Sequence, residues 1–154
     1  MRYWQDIRSG ERFATTGLTV SEADILEFAA EFDPQPYHLD RGAAQESIFG
    51  GLCASGWQVS AMMMRLLTDT LQQQQIAAMG SSGVKQLRWK KPVFAGDVLS
   101  ADVVIIQLLE SGQPGFGVIE CLVEVSNQDN KLVITTTISL LVQQREAALR
   151  ADEV

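Results

Sequence analysis

Histidine, cysteine and proline are scarce in this chain: one, two and four of 154 residues. Each scarcity excludes something. With His38 as the only imidazole there is no Cys/His cluster at zinc spacing, and no metal or other cofactor is implied. Cys53 and Cys121 are too few for a disulfide scaffold and read as small buried residues. Basic residues number 12 against 19 acidic ones, for a net charge of −7, and no Lys/Arg run forms a basic face. Nucleic acid and anionic membrane surfaces are therefore poor partners. No apolar run approaches the roughly 20 residues that span a bilayer. The opening Met1-Arg-Tyr-Trp-Gln-Asp6 lacks the apolar core of a signal peptide, so a cytoplasmic protein is expected. Without repeats or linkers, and with 46% hydrophobic residues, the chain reads as a single domain over residues 1–154.

What is present falls into two halves of different periodicity. Residues 1–20 read as an extended lead-in with a short strand. Ser21 and Asp24 make a capping-box-like start, and Ile25, Phe28, Ala29 and Phe32 recur at helical spacing up to Pro34. Pro34 and Pro36 predict a stiff extended turn from Asp33 to His38. Asp40 is placed to cap a short helix through Ala44. Gly50-Gly51 then breaks the chain before an apolar helix over about 54–71, and the Met62–Met64 run belongs to its core face. The Gln72–Gln75 run reads as a frayed helix end. From Gly83 the period becomes two: a strand over 83–91, a turn at Gly96-Asp97, and a strand over 98–109 with Leu99, Ala101, Val103 and Ile105 on one side. Another carries Ile119, Cys121, Val123 and Val125; after a hairpin at Asn127–Asn130 the last runs over 131–143, with Leu132, Ile134, Ile138 and Leu140 on one side. Residues 144–154 read as a polar tail, a short helix or disordered. The expected architecture is α+β, an antiparallel sheet wrapped around one central helix.

The chemistry concentrates between Phe32 and Trp57. Asp33 and His38 stand five positions apart on a proline-stiffened turn, and a glycine-rich approach leads to a helix N-terminus suited to a developing negative charge. Singly, Asp33 reads as a turn cap and His38 as a loop histidine. Together they read as an acid/base pair, with Phe32, Phe49 and Trp57 as apolar neighbours that strip water from Asp33. Gly56 carries two readings, close helix packing or an amide donor. Tyr37 and Asp40 shape the loop, and Cys53 is not a nucleophile because its only base is already assigned.

The segments Phe32-Asp33-Pro-Gln-Pro-Tyr-His38-Leu-Asp40 and Gly50-Gly-Leu-Cys-Ala-Ser-Gly56 resemble the MaoC-like dehydratases, or (R)-specific enoyl-CoA hydratases, of the hot-dog fold. Arg88-Trp-Lys-Lys-Pro-Val-Phe-Ala-Gly-Asp97 is similar to that family's strand-and-turn motif, which by itself says nothing about chemistry. Gln35 stands where the family usually has Asn, and Ser55 where it often has His. The resemblance implies that Asp33 and His38 are the catalytic pair and that the Gly56 amide belongs to an oxyanion hole. It further implies an acyl-CoA substrate, water added to a trans-2-enoyl thioester or removed from the 3-hydroxyacyl form, and fatty acid metabolism as the setting. Ser55, Phe49, Trp57, Arg88 and Lys90 complete the substrate-contacting set. The last two are drawn from the cationic candidates Lys85, Arg88, Lys90 and Lys91, because strand alternation puts Arg88 and Lys90 on one face and Trp89 and Lys91 on the other.

Two other readings stand beside the hydratase: a hot-dog acyl-CoA thioesterase, in which a carboxylate activates water at the carbonyl, and a non-catalytic acyl-thioester binding subunit. A homodimer is expected, because one curved sheet leaves exposed edges that a second copy can cover.

Overall fold

The computed structural model describes residues 1–145. Short strands β1 (Arg12–Ala14) and β2 (Leu18–Thr19) precede three helices, α1 (Glu22–Phe32), α2 (Pro36–Leu39) and α3 (Arg41–Glu46). The long helix α4 (Gly56–Gln73) is followed by four strands, β3 (Ala78–Trp89), β4 (Val98–Glu110), β5 (Phe116–Ser126) and β6 (Leu132–Gln143). All pair antiparallel in the order β1-β4-β5-β6-β3, with β2 on β4. This is the hot-dog arrangement. No helix among the described residues is long and apolar enough to cross a membrane.

The sheet's inner face follows from period-two alternation. Register pairs Ala101 with Val125, Val103 with Val123 and Ile105 with Cys121, so the apolar residues of β4 and β5 meet on one face, where all are buried. Ile134, Ile138 and Leu140 of β6 extend that layer, whereas Leu132, at the strand's first position, is only half-buried. Onto it α4 lays Val59, Met63, Leu66 and Leu67, spaced at i, i+4, i+7 and i+8. Each such side chain contributes roughly 1.5–3 kcal/mol by leaving water. The sheet covers only half of the helix. Trp57, Ala61, Met64, Arg65 and Thr68 form an exposed stripe, so Met63 is core, Met62 is half-buried and Met64 is exposed.

Local chemistry sets the ends of the elements that reach the site. The Ser21 hydroxyl accepts from the Asp24 amide and starts α1; Asp33 ends it, its N–H bonded to the Ala29 carbonyl. The stiff turn expected from Asp33 to His38 is extended only as far as Gln35. Pro36 then occupies the first position of α2, where its missing N–H costs nothing and its fixed φ suits a helix. Asp40 caps α3 through the Ala43 amide, and the chain reaches α4 with Ser55 as N-cap. Strand β3 starts at Ala78, five residues before the expected 83, because its Gly/Ser-rich first half still pairs with β6. The tail expected over 144–154 lies mostly outside the described residues.

The turn after β3 supports the site. Asp97 is buried and its carboxylate accepts from the Phe94 amide and from Gln128 Nε2, closing the Phe94–Asp97 turn in which Gly96 takes φ +90°. The preceding residues bind the approach to α4: the Val93 carbonyl accepts from the Ala54 amide at 2.8 Å, and Cys53 bridges Phe94 antiparallel. The stretch from Pro92 to Asp97, silent about chemistry in the sequence, thus fixes the backbone of Cys53.

Candidate active site

Where α1 ends and α4 begins, Asp33, Ser55 and His38 meet. The Asp33 Oδ2 atom lies 3.5 Å from His38 Nε2 and accepts from the Ser55 hydroxyl at 2.7 Å. His38 is buried, and its Nδ1 sits 2.7 Å from the Cys53 carbonyl oxygen. A carbonyl only accepts, so Nδ1 carries a proton, and in the neutral imidazole Nε2 then presents a lone pair. In that neutral form Nε2 and the carboxylate of Asp33 face each other as two acceptors, beyond the about 2.7–3.2 Å of a direct N–H···O bond. A group with two donors, such as water, satisfies both.

The ring of His38 is held from the side as well. Tyr37 meets it edge-on at a centroid distance of 4.5 Å, and Phe49 lies tilted against Tyr37 at 5.4 Å. The Cys53 thiol lies 3.8 Å from Nδ1, and burial pushes its pKa up, which keeps it protonated and unsuited to nucleophilic attack.

These residues open onto a cleft of about 360 Å³ lined by Asp33, Tyr37, His38, Phe49, Cys53, Gly56, Trp57 and Val59 on one side of the chain path and Trp89 to Val93 on the other. Gly56 opens the first turn of α4, where amides point outward without intrahelical partners and the helix dipole favours negative charge; no bond among the described residues occupies its N–H. Its missing side chain has a second cause. A Cβ at residue 56 would sit 2.7 Å from Trp89 Cε2, and the indole is held in place by Nε1 donating to Ser60 Oγ at 3.2 Å. Gly56→Ala is expected to lower unfolding free energy by about 1–3 kcal/mol by overpacking. Denaturant titration checks this, and unchanged stability would mean the Trp89 ring moves freely.

The expected site residues divide accordingly. Asp33, His38, Gly56, Phe49, Trp57 and Lys90 share the cleft. Phe32 does not shield Asp33, since its side chain is 66% exposed and borders a different groove between α1 and α4. The Ser55 hydroxyl, expected at the substrate, is instead engaged by Asp33 and by the Trp57 amide, and Ser55 is not among the residues that line the cleft. Arg88 is likewise absent from it and lies with Gln86 and Thr135–Thr137 at another surface hollow. Lys90 borders that hollow too, so Arg88 and Lys90 do share a face as alternation predicts, and the register shift in β3 falls earlier, between Lys85 and Arg88, where Gln86 takes φ +52°. Lys91 joins Lys90 at the cleft instead, and Lys85 is paired with Glu120 at 2.8 Å. Sequence reasoning missed the Cys53 carbonyl, a backbone atom with no signature of its own.

Among known families the chain matches the MaoC-like domain over residues 7–127. It is 32% identical over 139 residues to the uncharacterized protein YdeM of Bacillus subtilis, covering 88% of this chain and 94% of that one. An (R)-specific enoyl-CoA hydratase of Rhodospirillum rubrum is 32% identical over 111 residues, 71% of this chain and 73% of the relative. The crystal structure of a MaoC-like dehydratase from Rhodospirillum rubrum superposes with a TM-score of 0.85 at 36% identity, covering 94% of this chain and 99% of that one.

Proposed function

The chain belongs to the MaoC-like domain family, and from that premise we propose that it is an (R)-specific hydratase/dehydratase acting on trans-2-enoyl and 3-hydroxyacyl thioesters of CoA. The observation that carries this reading is the Asp33/His38 pair, two acceptors 3.5 Å apart in a cleft that also holds the Gly56 amide. A water donating to His38 Nε2 and to Oδ1 of Asp33, the oxygen that Ser55 leaves free, is held with its oxygen lone pairs free. As that oxygen bonds to the β-carbon, its proton passes to the pair, and the electrons of the double bond move toward the thioester carbonyl. The Gly56 N–H meets the negative charge that collects on the carbonyl oxygen. The pair then returns a proton to the α-carbon, which restores the carbonyl and leaves the enzyme unchanged. Because one pair takes and gives the proton, both additions occur on the same face of the double bond.

Lys90 and Lys91 are the cations at the cleft, and we assign them to the phosphates of CoA. Lys90→Glu with Lys91→Glu should raise KM for crotonyl-CoA by about tenfold at low salt, with a smaller effect on kcat, and the difference should shrink as salt is added. An unchanged KM places the CoA elsewhere.

A homodimer fits the exposed edge. Strand β3 ends the sheet among the described residues, and Met79, Val84 and Trp89 are exposed along it. Pairing of β3 with its copy covers that edge. Light scattering at micromolar concentration should give twice the chain mass; the mass of one chain refutes the pairing.

Crotonyl-CoA tests the reaction class when enoyl absorbance and free thiol are followed together. Absorbance should fall without thiol release. Thiol release would mean a thioesterase, and neither change would leave an acyl-thioester binding protein.

A further inference from the structure

The Ser55 hydroxyl is fully buried and ties together three parts of the site. It donates its single proton to Asp33 Oδ2 at 2.7 Å and accepts from the Trp57 amide at 3.3 Å as the N-cap of α4, while Asp33 itself ends α1. We propose that Ser55 is a positioning residue that clamps the Asp33 carboxylate by Oδ2 against the start of α4, so that Oδ1 is presented for proton transfer. Its role in turnover rests on the hydratase reading above.

A carboxylate at the end of a helix has rotational freedom about its last torsion. One strong acceptor contact with a hydroxyl whose own oxygen is fixed by a backbone amide removes it. Oδ2 receives the Ser55 proton and is also the oxygen nearest His38 Nε2; among the described residues nothing bonds to Oδ1. The two carboxylate oxygens are thus unequal, one structural and one reactive. The same clamp fixes Asp33 relative to Gly56, the next residue after Ser55, and so the distance between the proton acceptor and the proposed oxyanion donor. A misplacement of about 1 Å between such groups can cost roughly 10²-fold in rate.

A capping role alone has different consequences, and Ser55→Gly separates the two. Glycine is nearly as good an N-cap as serine but has no hydroxyl. The expected result is a fall in kcat of about tenfold or more on crotonyl-CoA with KM within about twofold, and recovery of most of that loss in Ser55→Thr. In an Asp33→Asn background Ser55→Gly should cost nothing further, because the hydroxyl acts through the carboxylate. Native kcat in Ser55→Gly, or an undiminished additional loss in the double variant, overturns the inference. A crystal structure of Ser55→Gly decides the clamp independently of any assay. The Asp33 carboxylate should turn away from its wild-type position or occupy more than one; an unmoved, single carboxylate overturns the proposal. Should the wild-type protein fail to hydrate enoyl-CoA, the hydratase reading fails and the crystallographic result still judges the clamp.

Discussion

Asp33→Asn should reduce turnover of crotonyl-CoA by roughly 10²-fold or more while leaving the fold intact. The amide has the shape of the carboxylate, and its oxygen can still accept the 2.7 Å bond from Ser55. What it loses is the ability to take a proton. The position is also undemanding for stability, since the side chain is 25% exposed at the end of α1 and the helix is closed there by a backbone N–H to Ala29. Circular dichroism and the unfolding midpoint should therefore stay near wild type. Near-native turnover in this variant would remove Asp33 from the chemistry.

For His38 the choice of replacement decides what is learned. His38→Ala would leave the buried Cys53 carbonyl without its donor, at a cost of about 1–3 kcal/mol, and would confuse loss of chemistry with loss of the loop. His38→Asn places an amide N–H close to where Nδ1 stands and can keep the bond to Cys53, yet has nothing where Nε2 faces Asp33. Turnover should fall by roughly 10²–10⁴-fold with only modest destabilisation. A variant that folds and retains more than about a tenth of wild-type kcat would show that Nε2 does not handle the proton.

The parts of this account that were legible in the sequence are those governed by local chemistry. Ser21, the apolar spacing of Ile25 and Ala29, and the two prolines announced α1 and its stop, and the alternation in β4 and β5 announced the inner face of the sheet. Asp33 and His38 were readable as a pair because only five positions separate them. The contact between Asp33 and Ser55 was not, because 22 positions lie between them and their meeting depends on how α1 crosses the start of α4. The exposed stripe of α4 was hidden for a related reason: Trp57 and Met64 are apolar, and an apolar pattern does not say whether anything covers it. The grouping of Arg88 with Lys90 held, but only Lys90 also reaches the cleft, where Lys91 joins it, and that depends on how the end of β3 leads into Pro92. The role of the Pro92–Asp97 turn was invisible because it acts through the backbones of Val93 and Phe94.

The most direct test of the central proposal is the configuration of the product. Wild-type protein incubated with crotonyl-CoA, and the product resolved on a chiral phase after hydrolysis of the thioester, should yield (R)-3-hydroxybutyrate, with Asp33→Asn yielding almost none in the same time. The (S) product, equal yields from the two proteins, or free crotonate already present before the thioester is chemically hydrolysed would contradict it.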